Sequence, residues 1–296
     1  MYDHFKLEGA GVEVDVKFHC DVDYNFSRDW EQVRAFTYYD YSIALHTHSF
    51  YEINIVTSGH GTHQISEAAF DVQAGDVFII PPMLPHAYYN TEALDVMHIL
   101  VKPEVIQSNL VEAASMNGFL LFTEIEPFLR ASSYSSSYLR LSQKNWQMIR
   151  GDLEFLLDSN ECNTAENWPL RLHTFWKLLY SFSMLLAKQL EEKRNAEKYE
   201  CQIIDTLEYI HRNFYRTLTV KELYERVFLS RSTFLRSFSQ ICGCTPTKYI
   251  SDYRLKKALE LMDDGGMTKT AIARACGYYD LSHLEQVIKR KGRSDL

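Results

Sequence analysis

Residues 219–243, TVKELYERVFLSRSTFLRSFSQICG, carry the pattern that decides the fold of the C-terminal third. Thr219 and Glu222 form a Thr-x-x-Glu capping box, which predicts the start of a short helix. Ser230 can cap a second helix that ends at Gly243. A short helix, a tight turn and a second capped helix make the helix-turn-helix pattern. The apolar residues that would hold the two helices together are Leu223, Val227, Phe234, Phe238 and Ile241.

The same pattern begins again at Thr268, which lies 49 residues after Thr219. Residues 268–277, TKTAIARACG, predict the first helix of this second unit, and residues 281–292, LSHLEQVIKRKG, predict its second helix. Between the two units, Pro246 opens a longer helical pattern that ends at Gly265. The C-terminal third is therefore predicted to be an internal duplication of one supersecondary unit.

These residues resemble the AraC/XylS family of transcription regulators over roughly the last 95 residues of the chain. The resemblance implies two recognition helices that enter successive major-groove faces of one double-stranded DNA site, about 34 Å apart. The motifs that carry the resemblance are Ser230-x3-Phe234-x-Arg236-x-Phe238, Gly243-x2-Pro246-x2-Tyr249, Arg254-Leu255-x2-Ala258, Ile272-Ala273-x3-Gly277-Tyr278 and Ser282-x-Leu284.

The DNA-contacting residues are expected on the outward faces of the two recognition helices. If Phe234 and Phe238 face inward, Arg231 and Arg236 face outward and are candidates for guanine or phosphate contacts. Gln286 in the second helix could pair with adenine. The full predicted set is Arg231, Ser232, Leu235, Arg236 and Ser239, followed by Leu281, Ser282, His283 and Gln286, with Glu285 beside them.

The distribution of charge along the chain also suits a DNA partner at one end. The formal net charge of the whole chain is −8. Residues 1–198 carry 15 Lys and Arg against 27 Asp and Glu, whereas residues 199–296 carry 16 against 12. Because phosphate attracts cations, the basic end is the one expected to meet nucleic acid.

The N-terminal half carries a different pattern, of short strands separated by turns between residues 35 and 101, which predicts a β-barrel or sandwich. Within it stand the motifs His46-x-His48-x3-Glu52-x6-Gly59 and Gly75-x5-Pro81-x4-His86-x3-Asn90. Residues two apart on a strand share a face, so His46, His48 and Glu52 can all point inward. The pair of motifs looks like that of the cupin superfamily, which implies a small barrel with a central pocket.

Regulators of the AraC type use such a barrel to bind a small effector, often a sugar. Tyrosine offers a flat apolar face and a hydroxyl, which suits a sugar ring. The predicted effector-binding residues are His46, His48, Glu52, His86, Tyr39, Tyr51 and Tyr88. His46, His48, Glu52 and His86 would also suit a divalent transition metal such as Mn, Fe, Ni or Zn. We favour the effector-binding or structural role over the metal, and no cofactor is predicted with certainty.

Together these features predict an α+β protein with two domains. Residues 1–140 would form a cupin-like effector-binding barrel, residues 141–198 would supply helices for packing or dimerisation and a linker, and residues 199–296 would form an all-α module with two helix-turn-helix units. The predicted function is that of a ligand-responsive, sequence-specific DNA-binding transcription regulator, acting as a homodimer and not as an enzyme. It would regulate genes of carbohydrate or other small-molecule metabolism. The alternative is a metal-dependent cupin enzyme with a helical appendage, which would leave the C-terminal third unexplained.

The location of the protein is predicted from three negative features of the sequence. No run of about 18 apolar residues is present, so no membrane span is expected. The first residues mix charges and lack an apolar core, which argues against a secretory signal. The six cysteines do not show the spacing of a disulfide framework. A cytoplasmic location without a membrane partner is therefore expected.

Overall fold

A computed structural model describes residues 17–21, 26, 31–107, 113–131, 138–158, 166–193 and 199–294. The chain divides into two compact units, residues 1–193 and residues 194–296, called here the N-terminal and the C-terminal unit. The first is rich in β-structure and the second is helical, so the predicted fold class is confirmed. Residues 194–198 of the predicted linker lie outside the described residues. None of the described helices is long and apolar enough to cross a membrane.

The N-terminal unit is built on one eight-stranded sheet. Its longest strand, β7, pairs with β4 along one edge and with β2 and β3 along the other, while β1 extends the sheet beyond β3. On the other side of β4 lie β5, β6 and, beyond β6, β8. The strands are β1 Phe18–Cys20, β2 Val33–Tyr38, β3 Ile43–His48, β4 Tyr51–Ile65, β5 Ala68–Gln73, β6 Asp76–Ile80, β7 His86–Val101 and β8 Leu139–Arg140.

Bulges in the pairing of β4 with β7 decide which residues of β4 face the interior. The register shifts three times between Val56 and Thr62. Gly59 lies within this stretch at φ +70°, and a Cβ atom there would stand 2.0 Å from the Ala93 carbonyl oxygen. Bulges of this kind re-aim side chains. As a result, Glu52 faces the interior before the bulges and His63, an odd-numbered residue, faces it after them.

In the described residues of the N-terminal unit there are four α-helices. They are α1 Pro103–Gln107, α2 Glu126–Ala131, α3 Gln143–Asp158 and α4 Trp168–Lys193, and a π-helical turn, Leu121–Ile125, runs directly into α2. Helices α3 and α4 pack on each other and contact strand β2. Their inward residues Leu153, Leu156, Phe175, Leu179 and Phe182 are buried. Helices therefore lie within residues 141–198, where the sequence predicts them.

The C-terminal unit consists of six helices in the described part of the chain. They are α5 Glu200–Asn213, α6 Val220–Arg226, α7 Arg231–Cys242, α8 Pro246–Asp264, α9 Lys269–Ala275 and α10 Leu281–Ser294. Helices α6 and α7 form the first helix-turn-helix unit, α9 and α10 form the second, and α8 joins them. The sequence analysis did not single out α5, whose Ile203, Leu207 and Ile210 are buried.

The predicted helix caps of the C-terminal unit are present. Backbone N–H groups donate to Thr219 Oγ1, Ser230 Oγ and Thr268 Oγ1 at 3.1, 3.2 and 3.3 Å. Gly243 ends α7 in the left-handed conformation at φ +67°. In the capping box at Thr219, the Glu222 carboxylate also pairs with the Arg216 guanidinium, 2.5 Å away. This ion pair, together with the Thr219 backbone N–H, lowers the pKa of Glu222.

Candidate functional site

The interior of the sheet holds a cluster of buried polar side chains where β3, β4 and β7 meet. His46 and His48 come from β3, Glu52 from β4 and His86 from β7, and all four are buried. Glu52 Oε2 lies 3.1 Å from His86 Nε2 and 3.2 Å from His48 Nε2. The His46 and His86 rings are 4.1 Å apart. The structure thus brings the four residues of the paired motif together.

Two further histidines join this cluster, and the sequence analysis missed both. His98 on β7 places Nδ1 2.5 Å from Glu52 Oε1. His63 on β4 stacks on the Tyr88 ring, with centroids 4.4 Å apart. His98 is two residues from each of the apolar residues Val96 and Leu100, so the three share one face of β7, and this period of two was a signal that His98 faces inward. His63 could not be placed in this way, because the bulges in β4 reverse the faces.

The three predicted tyrosines do not share one environment. Tyr88 is buried in the cluster, and its hydroxyl accepts a hydrogen bond from Asn54 Nδ2 at 3.2 Å. Tyr51 is the neighbour of Glu52 on β4, so its side chain points to the opposite face of the sheet. Tyr39 lies in the bend after β2 and is 75% exposed. Of these three, only Tyr88 lies with the histidines.

The hydrogen bonds of the histidines indicate where each ring carries its proton. His46 Nδ1 lies 3.0 Å from the Ala44 carbonyl oxygen, and His86 Nδ1 lies 3.2 Å from that of Leu84. His48 Nδ1 lies 2.6 Å from the Phe50 carbonyl oxygen. A carbonyl oxygen only accepts, so each Nδ1 must donate. In a neutral His46 ring, Nε2 is therefore left with a free lone pair.

Burial disfavours the charged form of three of the histidines in this cluster, His46, His63 and His86. It lowers the pKa of His46 to about 3, and it lowers the pKa of His86 as well. Burial, followed by the nearby Arg130 guanidinium, holds the pKa of His63 well below its usual value. Burial opposes the ionisation of Glu52, but the charge of His98 and the hydrogen bonds from the histidines outweigh it and hold its pKa well below the usual range. The cluster is thus a buried carboxylate in contact with imidazoles, and burial disfavours the charged form of His46, His63 and His86.

Several buried atoms of the cluster have no hydrogen-bond partner among the described residues. They are Asn54 Oδ1 and the Nε2 atoms of His48, His63 and His98. His48 Nε2 is close to Glu52 but is not oriented for a hydrogen bond. Arg130 Nη1 can only donate to His63 Nδ1, at 3.5 Å, so the proton of neutral His63 lies on Nε2. The cluster therefore presents both acceptors and a donor.

The same cluster fits a divalent transition metal. One ligand atom each from His48, Glu52 and His86 lie within 4.8 Å of one another. In metal sites, the second ring nitrogen of a histidine ligand usually donates to a carbonyl or carboxylate, which fixes the tautomer. The Nδ1–H groups of His48 and His86 do this. These three residues would hold the ion, with His46 beside them.

A pH dependence of stability follows from the depressed histidine pKa values. A histidine whose pKa is lowered by folding does not affect the free energy of unfolding above its unfolded pKa, about 6.5. As the pH falls below that value, the unfolded chain takes up a proton that the folded chain does not, so the free energy of unfolding decreases. We expect each such histidine to weaken the N-terminal unit by up to about 1.4 kcal/mol per pH unit below about pH 6.5. Urea unfolding followed by tryptophan fluorescence measures this unit, since all four tryptophans precede residue 194. His63→Gln should flatten the slope, and stability that does not change with pH would contradict the assignment of neutral rings.

In the C-terminal unit, the first recognition helix presents the predicted outward residues. Arg231, Ser232 and Arg236 of α7 are exposed, while Leu235 and Ser239 are half-buried. Arg231 and Arg236 make no ion pair or hydrogen bond through their side chains within the described part of the chain. The lysines of α6 and α8 instead pair with acidic residues one turn away. The guanidinium groups of α7 are thus available for phosphate or bases.

The second recognition helix differs from the first in its charge. Ser282, His283 and Gln286 are exposed on α10 and Leu281 is half-buried. Glu285 is also exposed on this helix. Asp280 caps the helix, accepting from the His283 backbone N–H at 2.8 Å. Glu285 repels phosphate but accepts from cytosine N4, so the N-terminal part of this helix suits base recognition, whereas Lys289 and Arg290, exposed further along it, can attract phosphate.

Comparison with known proteins gives matches in both units. Residues 32–143 match the AraC-like ligand binding domain, and residues 223–292 match a helix-turn-helix domain family. The HTH-type transcriptional activator RhaS of Salmonella schwarzengrund (strain CVM19633) is 23% identical over 251 residues, which cover 83% of each chain. RhaS of Escherichia fergusonii is 24% identical over the same length and coverage. The structure of ToxT from Vibrio cholerae is 12% identical, covers 88% of this chain and 94% of its own, and has a TM-score of 0.33.

Proposed function

As a member of the AraC/XylS family, this chain is a ligand-responsive DNA-binding transcription regulator, and we propose that its effector is a hydroxyl-bearing small molecule, best represented by a sugar. The genes it controls would then serve carbohydrate metabolism, and it would activate them, as the name of the RhaS relatives says of those proteins. This function accounts for the C-terminal unit, which the alternative of a cupin enzyme leaves without a role.

The observation that carries the sugar proposal is the set of unpartnered polar atoms inside the sheet. Buried polar groups normally have partners, and leaving one without a partner costs about 1–3 kcal/mol. Asn54 Oδ1 accepts, whereas His63 Nε2 donates. Each sugar hydroxyl both donates and accepts, so several of them could satisfy this mixture. Tyr88 adds an aromatic face beside these atoms.

The second candidate is a metal ion held by His48, Glu52 and His86, because their lone pairs converge. A metal would serve regulation as well as a sugar would, by stabilising one state of the barrel. The two candidates differ in the residues they need. The metal requires Glu52 and His86, whereas a sugar also requires Asn54, which is no part of the metal group.

A thermal-shift screen against sugars and divalent metals, with elemental analysis of the purified protein, separates the two. We expect a sugar to raise the Tm of the wild type but not of Asn54→Leu. A stoichiometric metal that is lost in Glu52→Gln and kept in Asn54→Leu would assign the barrel to metal sensing instead. A wild type that responds to neither class of ligand would contradict the proposal.

We further propose that residues 141–198 supply a homodimer interface, with residues 1–140 as the effector domain and residues 199–296 as the DNA-binding domain. Met148 on α3 and Met184 on α4 are large apolar side chains left exposed on helices whose other faces are buried. Exposed methionines are frequent at interaction surfaces. Met148→Lys and Met184→Lys should shift the sedimentation of the chain from dimer to monomer. A monomeric wild type would contradict the interface.

A further inference from the structure

The two most exposed large hydrophobic side chains of the described residues lie in the turns of the two helix-turn-helix units, although not at matching positions. Phe228 is 94% exposed and Tyr279 is 90% exposed. Phe228 stands two residues before Ser230, the cap of α7, and Tyr279 stands one residue before Asp280, the cap of α10. Each aromatic side chain therefore lies in the turn that leads into a recognition helix.

The backbone shows that these turns are equivalent and that Phe228 is strained. The Leu229 N–H donates to the Tyr224 carbonyl at 3.0 Å, and the Tyr278 N–H donates to the Ala273 carbonyl at 2.9 Å. By this pairing, Phe228 at φ +54° matches Gly277 at φ +76°. The left-handed region is costly for any residue with a Cβ atom, and more so for a bulky one. Phe228 thus bears strain where the sister unit has glycine, without any packing that would offset it.

We propose that Phe228 and Tyr279 are DNA-contacting residues that pack against deoxyribose carbons or thymine methyl groups beside each recognition helix. The N-terminal residues of a recognition helix are the ones that reach base edges. The side chains just before that end therefore lie at the edge of the DNA-facing surface, continuous with Arg231 in the first unit. The proposal rests on the DNA-binding function of this unit.

DNA explains an exposed aromatic side chain in both turns better than a protein partner does. A duplex presents the same sugar and base surfaces to both units once per helical turn. The surface of a protein partner, such as a polymerase subunit, does not repeat at that period. Such a partner would contact an exposed aromatic residue in one unit only. The side chain of Phe228 has no hydrogen-bonding group, so it fits sugar carbons or the thymine methyl rather than phosphate oxygens.

The test compares the affinity of the full chain and its variants for duplexes selected from a random pool by the wild type. We expect Phe228→Gly and Tyr279→Ala each to weaken binding about tenfold, a factor that corresponds to 1.4 kcal/mol. The slope of log K against log salt should stay unchanged, since no phosphate contact is lost. Leu259→Ala, which removes an exposed apolar side chain from α8, is the matched control and should bind like the wild type.

For Phe228→Gly, a measurement of stability separates the loss of a DNA contact from unfolding. Because glycine relieves the left-handed strain, Phe228→Gly should increase hydrogen-exchange protection of residues 220–242, so weaker DNA binding would not reflect unfolding. Variants that bind DNA as the wild type does would overturn the inference and leave the proposed function intact. If they instead lose only transcription activation, the partner is a protein and the inference is equally wrong. A wild type without DNA affinity would overturn both.

Discussion

Replacing both Arg231 and Arg236 by alanine should lower the affinity of the chain for its DNA site about a hundredfold or more. Each contact from an arginine to guanine or phosphate is worth about 1–3 kcal/mol, and every 1.4 kcal/mol is a factor of ten. Both guanidinium groups are exposed on α7 and engaged by no other described side chain, so neither has to break an internal ion pair to bind DNA. Their whole interaction energy is available to the DNA.

Titration of a labelled duplex at several salt concentrations measures this effect and separates the two roles. Removing an arginine that contacts phosphate should reduce the slope of log K against log salt by about one. Removing an arginine that contacts a base should instead relax the sequence specificity at one position of the site. Lys188→Ala is the control for charge, since Lys188 is exposed on α4 of the N-terminal unit in a loose pair with Glu192. Equal loss in the control and the double variant would indicate a general charge effect and no specific contact.

The second large effect is expected for Arg130→Met, which should lower the free energy of unfolding of the N-terminal unit by about 3–5 kcal/mol. Arg130 on α2 is fully buried, and its Nε lies 2.7 Å from Glu126 Oε1. Nη2 donates to the Ile79 carbonyl on β6 at 2.8 Å, and Nη1 reaches His63. Without Arg130, the Glu126 carboxyl stays buried with no cation beside it.

Urea unfolding followed by tryptophan fluorescence measures this loss, and two variants define its cause. Arg150→Met removes an exposed arginine that pairs with Glu154 on α3, and it should cost less than about 1 kcal/mol. Glu126→Leu combined with Arg130→Met should recover much of the stability, because no unpaired charge remains. If the double variant is as unstable as Arg130→Met, the contacts to Ile79 and His63 carry the stability and the ion pair does not.

Where the sequence allowed correct prediction, a local rule was enough. The caps at Thr219, Ser230 and Thr268 need only a hydroxyl at a helix start, and the structure has all three. The apolar faces of α3 and α4 follow from a period of 3.6 residues. The grouping of His46, His48 and Glu52 follows from spacing on adjoining strands together with a tight turn. In each case the residues that decide the feature are neighbours in the chain.

The features that escaped prediction depend on contacts between distant residues. The inward position of His63 requires the bulges between β4 and β7, which reverse the faces of a strand that alternation alone would place wrongly. The contacts of Arg130 on α2 with β6 and His63 could not be predicted from the sequence of its helix. An i,i+4 pair such as that of Arg130 with Glu126 is typical of a solvent-exposed helix face. Met83 adopts φ +66°, a left-handed conformation that is typical of glycine and that a methionine in the sequence does not predict.

The central claim is that this chain recognises a specific DNA site in a way that depends on a ligand in its barrel. The most direct measurement is the Kd of the full chain for a selected duplex and for a scrambled one, with and without the small molecule that raises its Tm. We predict at least about a thousandfold preference for the selected duplex, and a change in that Kd when the ligand is present. Equal affinity for both duplexes, or a Kd that ignores a ligand known to bind, would contradict the account.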